Sequence, residues 1–299
     1  MISSCQKATP TPAPIKPPDS FFSKYYDVTS LPVSNSFSDP KSWGTVADPS
    51  LEEISGIAPS HAIAKGLWVE EDSGNENKIY LLDNSGNMLA DFQMTSVQNR
   101  DWEDLSISTG PTPDVRYIYL AETGDNKHIY QTKTIYRFPE PSFTDKTFPF
   151  SGQVNTVDEI IFHFPDGKKN SEAVMIDPST NDIYVISKEN LAVIYVARYP
   201  QPLNQDFEIT KLGIIPITDV TAADISSDGN EVVIKNYNQI FYWKKIPNES
   251  IADLLQQTPM RLPYVAEVKG ESICWAADGS GYFVTSEGTN QPIYFYQRK

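Results

Sequence analysis

Cysteine is almost missing. There are two in 299 residues, Cys5 and Cys274, too few for a disulfide framework. Cys274 lies in the apolar run Ile273-Cys274-Trp275 and reads as a small buried hydrophobe. Histidine is nearly as scarce. The three present, His61, His128 and His163, are scattered, and none forms a His-Glu-x-x-His zinc pair. The chain has no Gly-x-Ser-x-Gly nucleophile elbow and no phosphate loop. No apolar run reaches the roughly 18 residues of a membrane-spanning helix. Basic residues are in deficit, 24 against 39 acidic ones, for a net charge of −15. That argues against a nucleic-acid partner, whose phosphates require clustered Lys and Arg. It suits a cation site, although acidity alone also keeps a protein soluble.

What is present points to strands. Aromatics make up 12% of the chain, mostly Tyr and Phe, proline is frequent (23), and no long apolar helical pattern occurs. The N-terminus carries its own signal. Ile2-Ser3-Ser4-Cys5 has the order of a bacterial lipobox, an aliphatic residue and two small ones before a cysteine. The charged and apolar parts of a signal peptide are not in this sequence. Residues 6–19, QKATPTPAPIKPPD, are rich in proline and poor in apolar bulk, the composition of an extended spacer. The expectation is a lipid on Cys5, a linker over 1–19 and a folded domain over 20–299. The protein would then sit in the cell envelope, extracytoplasmic or periplasmic, anchored to a bacterial membrane.

Internal repeats define the architecture. Five segments share one pattern: Glu53-Ile-Ser-Gly-Ile-Ala-Pro-Ser, Glu103-Asp-Leu-Ser-Ile-Ser, Glu172-Ala-Val-Met-Ile-Asp-Pro-Ser, Thr221-Ala-Ala-Asp-Ile-Ser-Ser-Asp-Gly and Glu271-Ser-Ile-Cys-Trp-Ala-Ala-Asp-Gly. They recur about every 50 residues, with one longer step between Glu103 and Glu172. Each reads as a short apolar strand, a turn signal and a second strand. Second strands are expected at 67–71, 117–122, 183–187, 232–236 and 282–286, and fourth strands at 88–92, 158–164, 207–214 and 264–268. The long step fits an insertion around 139–156. The last repeat lacks a fourth strand, and a strand-like segment is left over near 25–33. The fold expected is all-β, a five-bladed propeller closed by that N-terminal strand. A six-bladed ring with one degenerate blade is the alternative, and a monomer is expected.

In such a ring the starts of the first strands meet around the axis. Glu53, Glu103, Glu172, Thr221 and Glu271 would form one ring of side chains. The ends of the second strands would bring Asp72, Glu122, Lys188, Lys235 and Glu287 to the same mouth as ligand-binding candidates. Two carboxylates about 6 Å apart repel by roughly 3 kcal/mol at an effective dielectric near 20. Protonation, salt bridges to Lys188 and Lys235, or a bound cation would relieve that. Oxygen ligands without His or Cys suit Ca²⁺, with Mg²⁺ as the alternative.

Three motifs carry a resemblance. Glu53-Ile-Ser-Gly-Ile-Ala, Asp101-Trp-Glu-Asp-Leu and Glu122-Thr-Gly-Asp-Asn resemble secreted bacterial propellers of the SdiA-regulated and phytase-like groups, over roughly residues 50–290. The ring of four Glu and one hydroxyl residue is also similar to that of the calcium-activated nucleotidases, or apyrases, five-bladed propellers with axial Ca²⁺. That resemblance implies Glu53, Glu103, Glu172, Thr221 and Glu271 as the metal ring and Lys235 as a phosphate-facing residue. The cluster of Arg and Lys expected around a nucleotide's phosphates is missing. Two functions follow. One is a membrane-tethered propeller with a central Ca²⁺ that binds a small molecule or a protein at its acidic mouth. The other is a Ca²⁺-dependent phosphohydrolase with Glu122 or Asp72 as base. A purely structural envelope protein would leave the ring unexplained.

Overall fold

The computed structural model describes residues 20–299, so Cys5 and the proline-rich linker lie outside the described residues. The described chain folds into five sheets, each built on four antiparallel strands. The innermost strands, in order of blades one to five, are Ile54–Pro59, Trp102–Ser108, Ser171–Ile176, Val220–Ile225 and Ser272–Trp275. Each packs on the innermost strand of the next blade, and the fifth packs on the first. The fold is a closed, five-bladed β-propeller.

Sequence and burial agree strand by strand. Innermost strands have a blade on either side and are buried at every residue in blades three and four. Outer strands face a neighbour on one side only. Met88–Met94 and Asp158–His163 accordingly alternate between buried and half-buried positions. The Asp-Gly signals turn the chain as expected, with Gly229 and Gly279 at φ +71° and +70°. The hydrophobic core is divided into five clusters, one in each gap between adjacent blades. The gap between blades four and five is aromatic: Phe37, Tyr242, Trp275, Tyr282 and Tyr296 fill it, with Tyr282 and Tyr296 stacked at 4.6 Å.

The ring is closed from the N-terminus, but by a different strand. Lys41–Thr45, not 25–33, pairs antiparallel with Pro292–Gln297 and completes blade five. Residues 20–37 form a strap along the outside. Phe22–Ser23 pairs parallel with Thr210–Ile215 of blade three, Val33 bridges to Arg261 of blade four, and Phe37 bridges to Arg298 of blade five. In blade four the outer strand is Met260–Arg261, and 264–268 has no strand pairing. Of the expected 207–214 strand, Phe207–Glu208 joins blade two and Thr210–Ile215 joins blade three. The insertion contributes Phe150–Val154, a parallel fifth strand on blade one. Blades one, two and three thus each receive a parallel outer strand, which covers an otherwise open edge.

The strap gives a first prediction. Phe22 and Leu31 are both buried in the core between blades three and four. Deleting residues 1–35 removes them, at a cost of about 3–6 kcal/mol for two buried apolar side chains. Deleting 1–18 removes neither. Melting curves should separate the two truncations, and equal stability would show that the strap does not brace the ring.

Candidate metal centre

Each innermost strand in blades one to four begins with a β-bulge. The pairing shifts between Ile54 and Ile57, Trp102 and Asp104, Ser171 and Ala173, and Val220 and Ala222. At Glu103 and Glu172 the extra residue turns its side chain to the mouth of the channel. In blades two, three and four that residue is Glu103, Glu172 or Thr221, as the repeats suggest. In blade one the pairing Ile54–Glu71 matches Trp102–Glu122, so the corresponding residue is Ser55. Glu53 lies two positions earlier, is exposed, and accepts a hydrogen bond from Asn75 at 2.8 Å. Thr221 is buried beneath the mouth, its hydroxyl 3.5 Å from the Gly270 carbonyl.

The mouth is a cleft of about 410 Å³ lined by Asp72, Glu103, Glu172, Lys188, Glu271 and Glu287, together with Asn126, Tyr237, Val268 and Lys269. Of the ligand-binding candidates, Asp72, Lys188 and Glu287 therefore reach it. Glu122 and Lys235 do not. The Glu122 carboxylate accepts the backbone N–H groups of Arg100 and Asp101 at 3.0 and 2.8 Å and pairs with the Arg100 guanidinium at 3.1 Å. Glu71 plays the same part in blade one, accepting from the N–H of Glu52 at 2.9 Å. Both carboxylates cap the chain entering their blade. Lys235 is 0% exposed and donates to the Gly270 carbonyl. Burial lowers its pKa to about 7, against the pull of Glu267 and Glu271.

The expected pentagon of charge divides into two arcs. On blades three to five the carboxylates are compensated. Lys188 pairs with Glu172 and donates to the Tyr237 hydroxyl at 2.8 Å. That hydroxyl donates to Glu271 at 2.7 Å, and Asn170 donates to Glu172 at 2.9 Å. Lys269 pairs with Glu287 at the rim. Burial still raises Glu172 to about 7, with Lys188 pulling it back, and raises Glu287 to about 7.

On blades one and two the opposite holds. Asp72, Asp101 and Glu103 each place a carboxylate oxygen within 4.8 Å of the others. Glu103 is 3% exposed, and its Oε1 has no hydrogen-bond partner. Burial raises its pKa well above the usual carboxylate range, and Glu172, Asp72, Asp101 and Glu271 add to the shift. Asp72 is raised to about 6 by burial, with Asp101, Glu271 and Glu53 contributing. Asp101 is raised by burial and drawn back by its hydrogen bond from Ser73 and by Lys133 and Arg100.

Two residues hold this triad together: Asn99, which did not stand out in the sequence, and Gly124, which did so only as part of the Glu122-Thr-Gly-Asp-Asn motif. Asn99 donates to the carbonyls of Glu71 and Asp72 at 2.8 and 2.9 Å and accepts from the Trp102 N–H at 3.1 Å. It staples the end of the second strand of blade one to the entry of blade two. Gly124 provides the floor: a Cβ there would lie 2.1 Å from Glu103 Oε1 and 2.5 Å from the Asp101 carboxyl carbon. Asp101 itself had a signal. At i and i+2 on an extended segment, Asp101 and Glu103 fall on one face.

No family model matches the chain, and no curated protein matches it. Among solved structures, the WD40 repeats of RRP9 are similar at 7% identity and a TM-score of 0.45, over 90% of this chain and 99% of that one. U3-55K is similar at 9% identity and 0.41, over 81% and 80%. The propeller assignment rests on the five sheets themselves.

One more acid sits below the triad. Glu70 is wholly buried and neither carboxylate oxygen has a hydrogen-bond partner. Burial lifts its pKa well above the usual range, with the Asp72 charge adding to it. A raised folded-state pKa means that its stabilising contribution is complete at low pH and is lost as pH rises through that value. Glu70→Gln keeps the shape and stays neutral. It should match the wild type in thermal melts at pH 5 and exceed it at pH 8; a variant less stable at both would show that Glu70 makes an essential contact.

Proposed function

We propose that this propeller binds one divalent cation, calcium in the first instance, at Asp72, Asp101 and Glu103, and presents it to a ligand in the axial cleft. The observation that carries the reading is the Glu103 carboxylate, buried and with an unpartnered oxygen, facing two further carboxylates. An isolated buried anion is costly unless it is protonated or paired. Three carboxylates brought together suit a hard cation, and calcium, which accepts six to eight oxygens in irregular geometry, is preferred to Mg²⁺, which demands a near-ideal octahedron. Three carboxylates leave some of the six to eight positions around calcium for water or for a ligand from the cleft.

The binding reading draws more support than a phosphohydrolase. Of the residues hydrolysis would use, Asp72 and Lys188 line the cleft, but Lys188 is paired with Glu172, Glu122 caps the backbone of blade two and Lys235 is buried on Gly270. The lipobox at Cys5, followed by a proline-rich spacer, supports tethering to a bacterial membrane, with the propeller on the extracytoplasmic side. The likeness of the motifs to the phytase-like and SdiA-regulated groups supports the same placement.

The test is a thermal melt in calcium and in chelator. A ligand that binds only the folded state stabilises it by about 2.7 kcal/mol at a hundredfold excess over Kd. For a chain of this size, at about 2.1 cal/mol/K per residue, that is a rise of roughly 4–5 °C. Identical melts, with no metal retained after purification, would instead favour a protonated triad.

A further inference from the structure

Thr221 and Lys235, which the repeats place with the metal ring, converge on one atom elsewhere. Both reach the carbonyl oxygen of Gly270. Gly270 ends the segment 264–269, which has no strand or helix pairing and carries Val268 and Lys269 to the lip of the acidic cleft. Val268 is 99% exposed and Val265 53%. A valine fully in water at the lip of a polar cleft has no role in the core.

The segment is fixed at its two ends, with the Lys269 carbonyl accepting the Glu287 N–H at 3.0 Å and the Lys269 ammonium pairing with the Glu287 carboxylate at the second, and lightly in between. At one end the Tyr282 hydroxyl donates to the Pro263 carbonyl, and the Leu262 N–H reaches Ile240 at 2.9 Å. At the other end Lys235 holds Gly270. A Cβ at Gly270 would stand 2.3 Å from the Tyr264 hydroxyl and 3.0 Å from Lys235 Nζ, so the closed arrangement is tightly packed there. Between them, the Val265 N–H reaches the Tyr296 hydroxyl at 3.0 Å and the Glu267 N–H reaches the Tyr264 hydroxyl at 3.4 Å. Lys235 Nζ also lies 5.0 Å above the Tyr264 ring, and its charge attracts Glu267, one of whose buried oxygens has no hydrogen-bond partner. An ammonium wholly removed from water, with backbone carbonyls as its hydrogen-bond acceptors, is an expensive way to hold a loop. It makes sense where that loop must be held shut and yet be able to let go.

We infer that residues 264–269 are a flap over the axial cleft, and that buried Lys235 is the pin that keeps it closed. The flap is a gate and not a ligand: Val268 and Lys269 line the same cleft as Asp72 and Glu103, but neither belongs to the carboxylate triad. A gate that makes no contact with the bound ion scales entry and exit by the same open fraction. It changes both rates and leaves the equilibrium alone.

Hydrogen–deuterium exchange on the full chain, without added metal, tests the flap directly. Lys235→Met keeps the length and burial of the side chain and removes the charge. Exchange in 264–269 should quicken by about tenfold, while Ile240–Lys244 and Ser272–Trp275 stay as protected as in the wild type. If that variant does not fold, Tyr264→Phe keeps the ring beneath Lys235 and deletes the hydroxyl that the Glu267 N–H reaches; it should quicken the same six residues alone. Unchanged exchange in a folded variant, or a rise spread through blade four, would overturn the inference. A second arm rests on the cation reading. With terbium as a luminescent stand-in for calcium, Lys235→Met should raise the association and dissociation rates together and leave Kd within about twofold. Unchanged rates, or a Kd changed because only one of the two rates moves, would overturn the gate. If terbium does not bind the wild type, the cation reading fails, and the exchange arm still decides the flap.

Discussion

Replacing Gly124 with alanine is expected to abolish cation binding although every carboxylate remains. The added methyl would sit 2.1 Å from Glu103 Oε1 and 2.5 Å from the Asp101 carboxyl carbon, inside any permitted contact. Gly124 lies just past the second strand of blade two, where its N–H donates to the Asp101 carbonyl at 3.1 Å. The backbone is therefore held, and the two side chains must give way. A carboxylate displaced by an ångström or more no longer shares an ion with its neighbours, because calcium–oxygen distances span only about 2.3–2.6 Å. The loss of affinity should reach about a hundredfold, the upper end for residues that orient metal ligands. Net charge is unchanged, so a protein that merely attracts calcium to an acidic mouth would bind the alanine variant as well as the wild type. Calcium-dependent melting of the two proteins separates these outcomes.

Calcium affinity is expected to rise steeply with pH. Asp72 is raised to about 6 and Glu103 well above the carboxylate range, both chiefly by burial. The sign follows from linkage. A carboxyl whose folded pKa lies above its unfolded one holds its proton longer in the folded chain. Its contribution to stability is complete below the unfolded pKa and is lost as pH rises through the folded one. Without metal, stability should fall between about pH 5 and 8 as Asp72, raised to about 6, and Glu172 and Glu287, each raised to about 7, lose their protons. Calcium competes with those protons, so its affinity should gain about tenfold per pH unit for each proton displaced. Melts at pH 5, 6, 7 and 8, each in chelator and in excess calcium, should show a gap that widens with pH. A constant gap would mean that the ion binds groups already ionised, away from the triad.

The fold was legible because blade periodicity is written in strands buried on both faces. Segments such as Val174-Met175-Ile176 and Ala222-Ala223-Asp224-Ile225 are uniform enough to align across the chain, and the Asp-Gly turns mark where each one ends. The closing strand was not legible for the complementary reason. Lys41-Ser-Trp-Gly-Thr45 is an edge strand, largely exposed, with no apolar alternation. The preceding segment is richer in apolar residues, yet Leu31, Tyr26 and Val28 pack as an irregular strap against blades three and four. Blade-closing chemistry in this protein is backbone pairing, which leaves little trace in side chains.

The site divides along similar lines. Glu103 and Glu172 line the mouth, as their repeats suggest, because both sit in bulges of equal size, and Glu271 reaches it from just before the unbulged strand Ser272–Trp275. Blade one misled through Ser55-Gly56. Aligning the glutamates put Glu53 in the ring, whereas the bulge puts Ser55 there, its hydroxyl 3.4 Å from Glu271. Asp101 was quoted in a motif but not joined to the metal set, since its partner Asp72 comes from another blade. That contact depends on the Asn99 staple, whose two bonds to Glu71 and Asp72 are tertiary. Lys235 and Thr221 face the neighbouring blade below the mouth, and one-dimensional spacing does not record which way a bulged strand turns.

The sharpest test is a calorimetric titration of calcium into the wild type, Asp101→Asn and Glu53→Gln. Asp101 belongs to the carboxylate triad of the folded chain, whereas Glu53 belongs only to the ring inferred from repeats. One calcium per chain should bind the wild type and Glu53→Gln with equal affinity, and binding to Asp101→Asn should weaken by about tenfold or more. Full binding by Asp101→Asn, or its loss in Glu53→Gln, would contradict a cation centre at Asp72, Asp101 and Glu103.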